Sequence, residues 1–314
     1  MVPPRAVAAV DIGTNSVLML LTGLRPDGSV AVELDRVAIT RLGQGVAQTR
    51  ALAPEAVKRT LNALSEFAEI ARERGAAIVA AGTSALREVT DPATFLQAAE
   101  RVLGAPVEVI SGAREAELAF RGAIVGLKLP ARQFTVVDVG GGSSEIARGR
   151  RGKILETASL NLGAVRLAER YALSAPAGAG QLEKLARDIE RVLEQCRVTP
   201  VKPLVAIGGT ATTLAAIAGE VEPYDPARIH GKRLTIDEID NLLSRLARMS
   251  LQERYKIRGL EKARADVIVS GALILRHIAG RAQAREVIVS NGGIRFALAQ
   301  EAYGKIPFDY TSLY

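Results

Sequence analysis

Two ten-residue segments of the chain share a pattern that could bind phosphate. Residues 9–18 read AVDIGTNSVL and residues 136–145 read VVDVGGGSSE, so a hydrophobic run that delivers DxGxxS occurs at Asp11 and again at Asp138. The run predicts a buried strand, and the glycines permit positive φ and close backbone approach to a ligand. Consecutive N–H groups in such a turn bind anions. The repeat therefore predicts two related half-molecules that face one phosphate-rich ligand.

Three glycine-rich turns provide backbone groups for phosphate oxygens. The third lies in GGTATT, a glycine pair that joins a predicted strand to a helix whose N-terminus adds partial positive charge. Arg87, in TSALRE after another strand, is a candidate phosphate clamp, and an ordinary surface arginine is the alternative. The candidate phosphate-binding residues of the turns are Gly13, Thr14, Asn15 and Ser16, then Gly140, Gly141, Gly142 and Ser143, then Gly208, Gly209 and Thr210.

Acidic residues beside the turns are candidates for a metal site. Asp138 and Glu145 flank the second turn, and Asp11 is the repeat partner of Asp138. Because Mg²⁺ binds few protein carboxylates together with waters and phosphate oxygens, these acids predict Mg²⁺ as the cofactor. The alternative is that Asp11 or Asp138 only accepts hydrogen bonds from its turn. The sequence has no His/Cys cluster, so zinc is not expected.

Glu115 is the candidate base for activating water. It lies in ISGAREAEL, near the start of a predicted helix. Glu117 has Arg121 one turn further on, so it is interpreted as part of a surface ion pair. Glu115 instead has Leu118 and Ala119 at those distances and borders the buried face, where loss of water raises a carboxyl pKa and improves the base. The alternative role is stabilisation of the helix N-terminus.

Length and composition are typical of a two-domain protein from a reducing compartment. The 314 residues, 48% hydrophobic and 24% charged, suit two domains of about 150 residues. The net charge is +7, but without tryptophan and with 4% aromatic residues a nucleic-acid partner is not expected. The single cysteine, Cys196, is interpreted as a small buried side chain and excludes an internal disulfide. His230 and His277 are interpreted as structural residues.

No targeting segment and no apolar stretch of membrane-spanning length is visible, so the sequence predicts a cytoplasmic protein that does not bind membranes.

Strands alternate with helices, which predicts an α/β fold with a cleft between two units. Strands are predicted over residues 6–10, 17–21, 30–39, 77–81, 107–110, 134–139, 144–148, 204–207 and 286–289. Helices are predicted over about 54–75, 91–103, 113–127, 163–171, 181–196, 236–249 and 263–279 and after residue 293, with SAPAGAG (174–180) as a loop.

Together these segments resemble the exopolyphosphatase and guanosine pentaphosphate phosphohydrolase family, part of the superfamily of actin, sugar kinases and heat-shock chaperone ATPases. AAVDIGTNSV is similar to its first phosphate motif and VVDVGGGSSEI to its second. Further segments resemble the family in the same order along the chain: TSALRE, ISGAREAEL, NLGAVRLAERY, AIGGTATTLAAI, YDPARIHGKRLT, RADVIVSGALIL and VSNGGIR. The resemblance covers nearly the whole chain.

The resemblance implies two actin-like (ribonuclease H-like) domains with the active site in the cleft between them. The domains would cover residues 1–126 and 127–296, with residues 297–314 packing back on the first. A homodimer and a Mg²⁺ cofactor are also implied. By resemblance, Glu115 matches the catalytic glutamate, Asp138 and Glu145 match the magnesium-associated acids, and Arg87, Asn15 and Ser143 match polyphosphate contacts.

Three features depart from the family pattern. Arg114 stands beside the candidate base where an acidic residue is usual, and it could change the pKa of the base or contact phosphate. Asn291 replaces a commonly acidic position. The chain ends at Tyr314, without room for the helical C-terminal domains of longer members, so short polyphosphate chains are the expected substrate.

The favoured function is therefore a Mg²⁺-dependent exopolyphosphatase that releases terminal orthophosphate from inorganic polyphosphate. Hydrolysis of the 5′-phosphate of guanosine pentaphosphate is the first alternative, since a guanine pocket cannot be read from sequence. An ATP-dependent small-molecule kinase is disfavoured by the glutamate on a first-domain helix and by the lack of a recognisable sugar-binding segment. A non-catalytic sensor of polyphosphate or alarmones is disfavoured by Glu115 and Asp138.

Overall fold

The computed structural model describes residues 4–129, 133–150, 153–173 and 176–304, which form two successive units of secondary structure. The first contains β1 (Ala6–Ile12), β2 (Ser16–Leu24), β3 (Val30–Ile39), α1 (Val46–Thr49), α2 (Pro54–Glu73), β4 (Ala77–Gly82), α3 (Ser84–Glu88), α4 (Ala93–Leu103), β5 (Val107–Val109) and α5 (Gly112–Ala123). The second contains β6 (Gln133–Val139), β7 (Ser144–Arg150), β8 (Lys153–Leu160), α6 (Ala164–Tyr171), α7 (Ala179–Glu194), β9 (Leu204–Ile207), α8 (Gly208–Ala218), α9 (Pro226–Ile229), β10 (Arg233–Thr235), α10 (Ile236–Arg248), α11 (Leu251–Arg254), a 3₁₀ turn (Lys262–Arg264), α12 (Ile268–Arg281), β11 (Glu286–Val289) and α13 (Ile294–Tyr303).

Each unit is built on a mixed sheet, and the two sheets have the same topology. The first has the order β3-β2-β1-β4-β5, in which β1, β2 and β3 are antiparallel while β4 and β5 run parallel to β1. The second has the order β8-β7-β6-β9-β11, with the same strand directions, and adds β10 at its edge. The repeat seen in the two DxGxxS segments therefore extends over five strands of each unit.

Helix α5, which carries Glu115, packs against both sheets. Ser111 caps its start, where the Ser111 side chain accepts a hydrogen bond from the Arg114 backbone N–H. One side of α5 places Leu118 in an apolar cluster with strands of the first sheet. The other side places Phe120 in a cluster with the second sheet, where its ring stacks on Phe134 at a centroid distance of 5.0 Å. The position of α5 therefore depends on both units at once.

Helix α13 is the last described element of the chain, but it packs against the first sheet. Its Phe296, Ala297 and Leu298 are buried in the cluster that contains Ala9 of β1 and Leu118 of α5. The expected packing of residues 297–314 on the first unit stays a prediction. Residues 305–314 of that segment lie outside the described residues, and the domain limits at 126 and 296 remain a prediction.

Several elements differ from the sequence-based expectation. Strand β8 is absent from the expected elements, because the polar and apolar residues of KILETASL do not alternate regularly; it forms as the antiparallel partner of β7. Helix α5 ends at Ala123 rather than residue 127, and Gly126 adopts a left-handed φ of 72° in the turn that follows. The helix expected from residue 263 begins at Ile268, after the 3₁₀ turn. Helix α7 begins inside the expected SAPAGAG loop, of which residues 174–175 lie outside the described residues.

Among the described residues, no helix combines the length and the apolar character needed to cross a lipid bilayer.

At Gly122, helix α5 meets the loop before α13 with backbone against backbone, which makes Gly122→Ala a sharp test of this packing. A Cβ at Gly122 would lie 1.9 Å from the carbonyl oxygen of Gly293, and backbone cannot move aside cheaply. The substitution should lower the free energy of unfolding by about 1–3 kcal/mol, the typical cost of overpacking. Urea unfolding of the purified variant measures this change.

Gly180→Ala is the matched control, because Gly180 lies in helix α7 and a Cβ there meets nothing within 4 Å. Alanine at this exposed position should stabilise the helix by up to about 1 kcal/mol. Equal stability of the Gly122→Ala variant and the wild type would contradict the backbone contact.

Candidate active site

The turns that follow β1, β6 and β9 open into one cleft of about 920 Å³. The predicted site residues that line it are Asp11, Gly13, Thr14, Asn15, Ser16, Glu115, Asp138, Gly140, Gly141, Gly142, Ser143, Gly208, Gly209 and Thr210. Arg87 and Glu145 lie behind this wall, in contact with groups that line it or pack against it. Convergence of strand ends from both sheets on one crevice is typical of ligand sites in α/β proteins.

The first two turns have the same geometry. The N–H of Gly13 donates to the carbonyl of Ser16 at 2.9 Å, and the N–H of Gly140 donates to the carbonyl of Ser143 at 3.0 Å. A Cβ at Gly13 or Gly140 would stand 2.9 or 3.0 Å from the same carbonyl oxygen, so close approach is what requires glycine there. The positive φ expected for the turn glycines occurs at Gly208 alone, with φ of 81°.

The turns also touch each other across the cleft. A Cβ at Gly141 would lie 3.0 Å from Cβ of Thr14, so the second turn packs directly on the first. In the third turn, Gly209 lies under the guanidinium of Arg264, where a Cβ would be 1.8 Å from Nη1. Three sets of backbone groups and one cation therefore face a common space, as expected for a site that binds several phosphate groups.

The residues after β4 form a fourth turn that sequence reasoning did not assign. Thr83 and Ser84 line the cleft and begin α3, and β4 occupies the same place in the first sheet as β9 in the second. A signal was present in the sequence, since GTSA after β4 has the same position in the repeat as GGTA after β9.

Four carboxylates gather at the base of the cleft. Asp11 and Asp138 stand near the ends of β1 and β6, Glu145 pairs with Asp138 across β6 and β7, and Glu115 comes from α5. Burial, with repulsion from Glu115 and Asp138, raises the pKa of Asp11 to about 8. Burial and Glu115 raise the pKa of Asp138 to about 7, and burial raises the pKa of Glu145 well above its usual value.

Two arginines offset this negative charge. Arg295 lowers the pKa of Asp11 and of Asp138 against the effect of burial. Arg87 donates from Nη1 to Oε2 of Glu115 at 2.5 Å and to the carbonyl of Ile110 at 2.9 Å. Burial raises the pKa of Glu115, and Arg87 partly opposes that rise. The phosphate contact expected for Arg87 remains a prediction, since its guanidinium binds the candidate base here.

Arg295 is itself held by a long-range contact that sequence reasoning missed. Asp35 on β3 accepts from Arg295 Nε at 2.9 Å and from Nη2 at 2.7 Å. Asn291 lies in the same group, donating to Asp35 at 3.3 Å and accepting from the Tyr224 hydroxyl at 2.7 Å. An acid at position 291 would place a second carboxylate against Asp35, whereas the amide donates to it. No pattern in the sequence links residues 35 and 295.

Arg114 does not face the candidate base. Its guanidinium pairs with Glu117 at 3.0 Å and with Glu301 on α13. It therefore joins α5 to α13 on the outer side, and the pKa of Glu115 is raised by burial and lowered by Arg87 instead.

The two histidines contact residues outside the cluster of four acids. His277 pairs with Glu190, and His230 Nδ1 accepts from the Asn291 N–H. Both histidines support neighbouring elements, as expected.

The acids at the cleft fit a hard cation that shares its coordination with phosphate and water. Oδ1 of Asp11 is buried and has no hydrogen-bond partner, which leaves an oxygen available as a ligand. Asp11 and Asp138 line the cleft and would hold Mg²⁺, which commonly uses one or two carboxylates beside phosphate oxygens. Within the described part of the chain, no three His, Cys, Asp or Glu side chains form a cage, so Asp11, Asp138 and Glu145 do not enclose an ion by themselves.

The fold and the cleft together define a phosphate-binding α/β protein with two duplicated halves. Residues 27–301 match the model of the Ppx/GppA phosphatase family, and the chain belongs to this family. It is 38% identical to exopolyphosphatase 2 of Mycobacterium tuberculosis over 287 residues. The aligned region covers 87% of this chain and 89% of that protein. The predicted actin-like α/β fold is confirmed, and the chain is a phosphoanhydride hydrolase by its family and relatives.

Solved structures agree with this assignment. A Ppx/GppA family member from Aquifex aeolicus superposes with a TM-score of 0.80 at 32% identity, covering 95% of this chain and 98% of that one. An exopolyphosphatase from Cytophaga hutchinsonii superposes with a TM-score of 0.87 at 26% identity, covering 96% of this chain and all of that one.

The raised pKa values of Asp11 and Asp138 predict a pH-dependent stability without divalent metal. A carboxyl group that titrates near 8 in the folded state and near 3.8 in the unfolded state binds more protons when folded. In EDTA, the free energy of unfolding should therefore decrease as the pH rises from about 5 to about 8. The Asp11→Asn variant should show a decrease that is smaller by at least about 1.4 kcal/mol, the equivalent of one pKa unit. Urea unfolding at several pH values measures it.

Mg²⁺ at pH 8 should raise the melting temperature of the wild type more than that of Asp11→Asn, because the carboxylate is a proposed ligand. Asp237→Asn, which removes an exposed carboxylate from α10, should behave as wild type in both measurements. A flat pH profile in wild type would contradict the buried acid cluster.

Proposed function

We propose that this protein is a Mg²⁺-dependent exopolyphosphatase that releases orthophosphate from the end of short inorganic polyphosphate chains. The observation that carries the proposal is the meeting of two matched backbone turns and the buried carboxylate of Glu115 in one cleft. A relative named exopolyphosphatase 2 supports the same substrate.

The turns hold the terminal phosphates. Backbone N–H groups in the first and second turns, and those at the start of α8, donate to non-bridging oxygens. Arg264 beside Gly209 and Arg295 beside the acids add positive charge close to that position. Asp11 and Asp138 would hold Mg²⁺, which would supply positive charge against the charge that develops on phosphate oxygens.

Glu115 acts as the general base. Its side chain is buried, and the pKa that burial raises makes its carboxylate a stronger base toward water. The water oxygen forms a bond to the terminal phosphorus while the bond from that phosphorus to the bridging oxygen breaks. The proton passes to Glu115, and the bridging oxygen leaves with the shortened chain, so the products are orthophosphate and a polyphosphate one unit shorter.

Arg87 holds Glu115 in place and supplies the positive charge nearest to it. Its contacts with the Ile110 carbonyl and with Glu115 fix one carboxylate oxygen, which leaves the other to face the water. The predicted phosphate contact of Arg87 would place the same guanidinium between the base and the terminal phosphate. Glu145, hydrogen-bonded by Ser159 at 2.7 Å, supports Asp138 from the neighbouring strand.

The charge of the cleft supports short chains. Seven carboxylates but only three guanidinium groups line its described wall. Outside the base of the cleft, the acids are Glu33, Asp35, Glu222 and Glu261. Because Arg295 and Arg264 are already paired with Asp35 and Glu261, this described wall offers no surplus of positive charge to a long polyanion, whereas a few phosphates need only the turns.

Guanosine pentaphosphate is the second candidate substrate, and one observation favours it. The same cleft contains Val221, Leu260 and the half-exposed ring of Tyr224, which could contact a nucleoside while the 5′-phosphates lie on the turns.

Three further proposals concern the protein in the cell. We place it in the cytoplasm, where its single cysteine needs no disulfide partner, and we propose a homodimer, as the family resemblance implies. We also propose that the two domains divide near residues 126 and 296. Neither a nucleic acid nor a membrane is proposed as a partner.

Glu115→Gln tests the proposed base. The amide cannot accept the proton, so kcat for orthophosphate release should fall by about 10²–10⁴-fold with little change in KM. Glu117→Gln is the matched control, because Glu117 lies on the same helix with a side chain 41% exposed, and it should keep wild-type turnover. Undiminished turnover in Glu115→Gln would remove Glu115 as the base.

A substrate series tests the proposed specificity. With Mg²⁺ present, kcat/KM should be highest for polyphosphates of a few units and should fall for long chains, measured as orthophosphate release. Higher kcat/KM for guanosine pentaphosphate would favour the second candidate. Tight binding of both without phosphate release at any Mg²⁺ level would favour a sensor, and ATP consumption only with an added acceptor would favour a kinase.

A further inference from the structure

Arg166 on α6 connects the second phosphate turn to the first half of the molecule. Its Nε donates to the carbonyl of Gly142 at 2.9 Å, and its Nη2 donates to both carboxylate oxygens of Glu88 at 2.5 Å. The two side chains are 21% and 17% exposed. Because a guanidinium presents its donors in a rigid plane, it holds the carbonyl and the carboxylate at one spacing.

Glu88 ends the short helix that also carries Arg87. Helix α3 has five residues, and at its start Ser84 donates to Oε1 of Glu88 at 2.7 Å. The neighbouring Arg87 contacts the proposed base, Glu115. A displacement of Glu88 therefore moves the arginine that fixes the base.

The surrounding space leaves little room for independent movement. A Cβ at Gly142 would lie 2.6 Å from Oγ of Ser84 and 3.0 Å from Oγ1 of Thr14. A Cβ at Gly163, just before α6, would lie 2.2 Å from the carbonyl oxygen of Gly141. Helix α3, helix α6 and the first two turns thus meet at one point, where a shift in one element passes to the others.

We propose that Arg166 and Glu88 are positioning residues, a role that rests on the proposed hydrolase function. The pair sets the distance between the second phosphate turn and the Arg87–Glu115 contact, and so aligns the bound terminal phosphate with the base. Neither side chain is among the described residues that line the cleft. The pair therefore acts through Gly142 and Arg87 rather than by touching the substrate.

The test compares Glu88→Gln, Arg166→Met and the double variant in orthophosphate release from short polyphosphate. Each single substitution should lower kcat by about 10- to 100-fold, because misplacement by about 1 Å can cost that much, while KM stays nearly unchanged. The double variant should be no worse than either single one, since both break the same link. Arg170→Met is the control, because Arg170 lies on the same helix with a side chain 60% exposed and pairs with Asp188 instead.

Two results would overturn the proposal. If both single variants keep the wild-type kcat and show only a lowered melting temperature, the pair is a structural ion pair without a positioning role. A raised KM in Arg166→Met together with a lowered KM in Glu88→Gln would show that Arg166 binds phosphate itself. Arg166→Lys serves where the methionine variant does not fold, and an intermediate kcat is expected because an ammonium cannot span both partners.

Hydrogen exchange of residues 82–88 provides a readout independent of activity. Exchange should be faster in Glu88→Gln and Arg166→Met than in the wild type and unchanged in Arg170→Met; unchanged exchange in all variants would also overturn the proposal. A wild-type protein that releases no phosphate would instead count against the proposed function, while the exchange data would still decide the contact.

Discussion

Direct approach of backbone to backbone is the constraint on which this molecule depends. Backbone meets backbone within the first turn and within the second, between the second turn and the start of α6, and where α5 crosses the loop before α13, at distances that leave no room for a Cβ. As a result, the glycine turns present peptide groups to the cleft beside the charged side chains that line it. Peptide N–H groups suit phosphate because they are fixed in place and need no reorganisation when the ligand arrives. Helix α5 shares this rigidity, so the proposed base is held by the same contacts that shape the cleft.

Electrostatics in the cleft complement this geometry. Four acids stand close together where burial already disfavours their charge, and the protein opposes them with Arg87 and Arg295. Such an arrangement is costly unless a cation or a bound ligand completes it. Oδ1 of Asp11, which is buried without a hydrogen-bond partner, is the atom that such a cation or ligand would contact.

Much of the fold and part of the site could be predicted from sequence, because local patterns determine them. The DxGxxS repeat, the alternating strands and helices, and the position of Glu115 beside Leu118 all depend on residues close together in the chain. Asp35 and Arg295 are 260 positions apart, so their pairing follows from tertiary packing and leaves no local signal. Strand β8 is similar, since its polar residues form a strand only beside β7. Arg264 and Arg166 also join the site through contacts that only the assembled fold creates.

The two halves are related by duplication but are not equivalent. Opposite Asp11 in the first hairpin stands Leu18, whereas opposite Asp138 in the second stands Glu145. The two ends of a linear inorganic polyphosphate are chemically equivalent, so the substrate itself does not determine the direction in which it binds. This difference between the two hairpins, a glutamate in one where the other has leucine, gives a symmetric substrate unlike surroundings on its two sides.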